Sequence, residues 1–86
     1  MGFFMKVSLP RNPRYAATAR LIAVQSAHDC GCEGGPAEAF AGNVEDVVLK
    51  SLAAADAKPH VMMAVERTAD ALVVTIDSHV MQLALT

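Results

Sequence analysis

Large aromatic side chains are scarce in this chain, which has no Trp, one Tyr and three Phe. Its core must be assembled from small aliphatic side chains, chiefly Ala and Val. At 86 residues that core is thin, because a chain of this size buries only about 60–65% of its unfolded surface. Cysteine is equally sparse. Cys30 and Cys32 are separated by a single glycine, too close for a framework disulfide, so they give no argument for secretion. An excess of one charge is also lacking. The formal net charge is −2, and Lys and Arg are scattered without interleaved aromatics, which argues against a nucleic-acid surface. No apolar run is long enough to span a bilayer, and Lys6 cuts short the apolar start Phe3-Phe4-Met5, leaving no signal-peptide core. Met1-Gly2 hints at myristoylation, but Lys6 stands where that motif takes Ser or Thr. These absences predict one cytoplasmic domain over residues 1–86, with no membrane and no nucleic-acid partner.

What the chain does have is helical periodicity in its middle. From Pro36 onward, Phe40, Val44, Val47, Val48, Leu52 and Ala55 recur at spacings of three and four, one apolar stripe about five turns long. This helix is expected to end near 56–58, before Pro59. An earlier helix is expected from Pro13 to His28 or Asp29, with Asn12 as its N-cap and Pro13 at its first position. Its buried stripe reads Tyr15, Ala16, Ala19, Ile22, Ala23 and then Ser26 or Ala27, leaving Arg14, Arg20 and Gln25 in solvent.

Strand periodicity brackets the helices. Phe3 to Leu9 alternates, with Phe3, Met5, Val7 and Leu9 on one side. His60 to Arg67 alternates again, and after the turn Thr68-Ala69-Asp70 a return strand runs from Ala71 to Ser78. Val61, Met63 and Val65, with Leu72, Val74 and Ile76, are assigned to the helix side. The tail from His79 to Thr86 is apolar without a turn signal. Strand and short helix both fit it, and continuity with the hairpin favours strand. The prediction is an α+β fold, a two-layer α/β sandwich in the order β-α-α-β-β, with two helices on one face of a small mixed sheet. The other face carries Met62, Ala64 and Val73, apolar for a surface meant for water. A self-associating sheet face or edge, and so a homodimer, follows from that.

This order and several stretches resemble histidine-kinase-like ATPase domains, most closely the anti-sigma-factor serine kinases of bacterial partner switching. Val7-Ser8-Leu9-Pro10-Arg11-Asn12-Pro13-Arg14-Tyr15 and on to Arg20 looks like their first strand, proline-bearing turn and Arg-containing helix. Asn43 to Leu52 looks like their nucleotide-site helix, and Ala71 to Asp77 like the strand whose acidic end reads adenine. The resemblance implies a nucleotide site at Asp46, Lys50 and Asp77. It also implies a sigma factor or an antagonist as the protein partner. The departures are specific. Where the family places a magnesium-binding Asn, four residues after its acidic residue, this chain has Lys50, and an ammonium cannot ligate Mg²⁺. Ser78 follows Asp77 where the family has glycine, and the family's phosphate-covering lid would fall beyond Thr86. The expectation is a truncated, degenerate relative with a vestigial site and no cofactor. An ATP/Mg-binding serine kinase is the alternative if the chain is an enzyme.

Other chemistry is sparse. Asp46 and Lys50 read either as a remnant anion site or as a solvated i, i+4 pair. Asp77 reads either as an adenine acceptor or as a residue that ends strand pairing. His28, Cys30 and Cys32 form the densest group of potential metal ligands, but their spacing is not that of a zinc site, and a reduced, inert loop is the default. A metal- or redox-responsive domain centred on them is the reading from another class. His60 and His79 are read as surface residues at strand ends.

Overall fold

The computed structural model describes residues 4–53 and 59–85. Their elements run β1 (Phe4–Pro10), α1 (Tyr15–Asp29), α2 (Gly35–Ala53), β2 (His60–Arg67), β3 (Ala71–Ile76) and β4 (His79–Ala84). The two-layer α+β sandwich expected from the sequence is present, with both helices on one face of the sheet. The tail is a fourth strand, as continuity favoured, and a two-residue turn at Asp77-Ser78 separates it from β3. The sheet itself needs correction. It is antiparallel throughout, in the order β1-β2-β3-β4, where a mixed sheet was expected. The cause lies in the first connection. A helix pair carries the chain away and back, so it re-enters the sheet at the end it left, with His60 opposite Pro10. From there β2 can only run against β1, whereas a parallel neighbour needs a crossover that returns the chain to the opposite end.

Strand alternation divides the sheet into two unlike faces. Leu9, Val61, Met63, Val65, Leu72, Val74 and Ile76 point toward the helices and are buried. Fully burying one such side chain contributes about 1.5–3 kcal/mol. The adjacent methionines therefore part company: Met63 is core, and Met62 is exposed. On α1 the buried side is Ala16, Ala19, Ala23, Ser26 and Ala27, and on α2 it is Ala37, Phe40, Ala41, Val44, Val48 and Leu52. Tyr15, Ile22 and Val47 pack at the margins of that core. Alanines on both helices let the two axes come close, which is how a chain with so few large side chains closes its interior. The expected positions of Phe3, Ala55 and the end of the second helix lie outside the described residues.

Two polar anchors fix the helix ends. Asn12 Oδ1 accepts the Arg14 N–H at 3.1 Å, and Tyr15 N donates to Asn12 O at 3.0 Å. Asn12 thus does the work of an N-cap, although Pro13 and Arg14 form a leading turn before the helix proper starts at Tyr15. At the other end Arg11 reaches the last described turn of α2, donating to Ser51 O at 2.8 Å and Leu52 O at 3.2 Å. A guanidinium there satisfies carbonyls and complements the helix dipole.

Candidate functional site

The face of the sheet away from the helices bears no other described element. Cross-strand register sorts its side chains into rows: Phe4, Glu66, Val73 and Gln82; Lys6, Ala64, Thr75 and Val80; Ser8, Met62 and Asp77. Phe4 is 58% exposed, Met62 45% and Val80 61%. The Lys6 ammonium sits 5.7 Å from the centroid of the Phe4 ring, within cation–π reach. Between Lys6, Met62, Thr75 and Asp77 the small side chain of Ala64 leaves a depression of about 230 Å³. Small-molecule sites occupy about 300–1,000 Å³, so this hollow falls below their range. Met62, Ala64 and Val73 were legible as an apolar outer face. Phe4 and Val80 join them only once β1 and β4 are placed at the two edges.

Asp77 occupies this face for a structural reason. Its φ of +52° is left-handed, a conformation that Asp tolerates better than most residues. Its N–H donates to Met62 O at 3.0 Å, and its Oδ1 accepts the Met62 N–H at 3.3 Å. The carboxylate therefore closes the end of the β2–β3 ladder. Asp46 and Lys50 are exposed on α2, and neither lines the hollow that Asp77 lines. The ion pairs among the described residues belong instead to Arg20, which bonds Glu38 at 3.0 Å and Glu45 at 3.3 Å. Arg20, expected simply to be solvated, is a clamp between the two helices. Hydrogen bonds to Glu38 first, and then to Glu45, hold its pKa above the ordinary arginine value.

The Cys-Gly-Cys stretch is a helix terminus. Cys32 N donates to Ala27 O and Gly31 N to His28 O, both at 2.9 Å, and Gly31 has a φ of +85°. This is the paired bonding of a Schellman motif, with glycine at its left-handed position and Cys32 as the hydrophobic residue that folds back onto the core. Both thiols are free and half-buried, and His28 is exposed in the last turn of α1. Among the described residues no three His, Cys, Asp or Glu side chains converge to hold a metal ion. His60 and His79 are exposed at strand starts, as expected.

A larger cleft of about 600 Å³ is bounded by α1, β1 and β2 and lined by Met5, Leu21, Ile22, Gln25, Asp29 and Arg67, among others. Gln25 Nε2 and Asp29 Oδ1 bond each other at 3.0 Å on its rim. Met5, Leu21 and Ile22 supply its apolar lining, and Gln25, Ser26, Asp29 and Arg67 its polar groups. No described helix is long and apolar enough to cross a membrane. No family model matches the chain, and no curated protein or solved structure matches it.

Proposed function

We propose that this chain is a non-catalytic regulatory module that binds a protein through the outer face of its sheet. In the manner of the anti-sigma and partner-switching proteins it resembles, its partner would be a sigma factor or a sigma-factor antagonist. One observation carries the reading: apolar side chains from all four strands stand on a face that no described element covers, around a small hollow. An exposed apolar patch with a polar rim is a common mark of protein contact. Here Lys6, Glu66 and Gln82 supply the polar groups. The residues aligned with the family's nucleotide site support the same reading. Lys50 replaces the oxygen ligand that magnesium requires, and the Asp77 carboxylate is occupied with Met62 N. That site is vestigial on this view, and the module works in the cytoplasm without a cofactor.

Two measurements test the proposal. Affinity capture from the source cell should retain the partner with wild type and with Leu21→Lys, and lose it with Met62→Lys. Leu21 is exposed on α1, away from the sheet face, so equal loss from both variants would remove the outer-face reading. Calorimetry with Mg-ATP should give no heat at millimolar nucleotide. Saturable heat abolished by Asp77→Asn would make the chain a nucleotide-binding serine kinase instead.

A further inference from the structure

The two edges of the sheet are built differently. β1 carries Lys6 and ends in Pro10, both of which discourage pairing with another strand. β4 carries neither. From His79 to Ala84 it has no Lys, Arg, Asp, Glu or Pro, and its register with β3 is unbroken. The direction its backbone faces can be assigned. Beyond the last ladder pair, Leu85 N donates to Asp70 O at 2.8 Å. Hydrogen-bonded and non-bonded pairs alternate along an antiparallel ladder. His79, Met81, Leu83 and Leu85 therefore turn their amides and carbonyls toward β3. Val80, Gln82 and Ala84 turn theirs to the open edge, and among those three only Gln82 has a polar side chain.

We infer that β4 pairs antiparallel with β4 of a second copy, about a two-fold axis through Gln82. Among the described residues the strand is complementary to itself in that register and in no other to the same extent. Residues opposite one another must lie on the same side of the sheet, which confines the axis to a residue position. Centred on Gln82, the outward-turned groups all match: Gln82 meets Gln82, and Val80 meets Ala84 on both sides of the axis. Six backbone hydrogen bonds form, and the single polar side chain faces its own copy, amide to amide. Centred on Met81, only Val80 and Gln82 meet, which gives four bonds and sets an amide against a valine. On the helix side, half-buried Met81 and Leu83 would each lie opposite the other's counterpart and close the open margin of the core. A symmetric pairing of this kind is closed, so it makes a dimer of eight continuous strands and no fibre. The inference does not depend on what binds the outer face.

The test is the mass of the purified chain by light scattering and sedimentation across a concentration series. Wild type should be a dimer. Val80→Lys with Ala84→Lys sets like charges opposite each other and should give a monomer. Val80→Lys with Ala84→Glu sets opposite charges across the axis and should restore the dimer. The restored variant carries substitutions at the same two exposed positions, so it also controls for folding. Met62→Lys, two strands from the edge, should remain dimeric. A wild-type chain that is monomeric at near-millimolar concentration would overturn the pairing. So would a dimer that survives Val80→Lys with Ala84→Lys, or one that Met62→Lys alone dissolves. The partner capture with Met62→Lys scores the outer-face proposal separately.

Discussion

Asp77 is an acid whose charge is incidental to its place. Two things hold it: a backbone in the left-handed region and an oxygen that receives the Met62 N–H. Asn supplies both without the charge, so Asp77→Asn should leave the unfolding free energy from urea titration within about 0.5 kcal/mol of wild type. Asp77→Ala removes the acceptor, and with it the local side-chain bond that lets this residue hold a left-handed backbone, a loss of about 1–2 kcal/mol. Equal effects from the two variants would mean that the charge itself is used. Arg20 is the reverse case, a residue whose charge is the point. Its pKa is raised in the folded state, chiefly by the hydrogen bond to Glu38. A raised pKa on a cation contributes stability that is complete below the unfolded-state value and is lost only as strongly alkaline pH passes through the folded one. The melting-temperature gap between wild type and Arg20→Gln should therefore be flat from about pH 6 to about pH 9. The pair is part-exposed, so the same gap should shrink as salt is added.

At the scale of elements, the end of α1 shows how little of a residue's role its type reveals. Cys30-Gly31-Cys32 draws the eye as chemistry, yet it terminates a helix. A β-carbon at Gly31 would touch nothing within 4 Å, so the cost of Gly31→Ala is conformational alone. It should lower stability by about 1 kcal/mol with no change in helical circular dichroism. A larger loss would point to a contact beyond the cap. The helices and the β2–β3 hairpin were readable in advance because their apolar residues repeat with periods that belong to one residue's neighbours. The end of β3 was not readable, because Asp77-Ser78 carries no glycine and reverses the chain through a strained aspartate. Sheet sense was not readable from any local pattern either, since it depends on where two helices return the chain. The same limit applied to the candidate site. Met62, Ala64 and Val73 were visible by alternation, whereas Phe4 and Val80 needed the strand order, and Arg20 needed the helix packing.

On the scale of the whole molecule, the sandwich is one-sided, and under the proposed function that separates stability from binding along a single strand. Met62 and Met63 are neighbours of the same type on β2, one open to solvent and one fully buried. Met63→Ala removes core volume that the rigid sheet cannot refill, at about 2–5 kcal/mol. A domain of this length has roughly 4–13 kcal/mol in total, so that loss is a large share of its stability and should lower the melting temperature by many degrees. Met62→Ala should change the unfolding free energy by no more than about 0.5 kcal/mol. Its large exposed side chain contributes almost nothing to the fold, which leaves it free for the contact proposed for the outer face. If Met62→Ala proved as costly as Met63→Ala, the outer face would already be covered in the free protein, and it would have to be read as a second core.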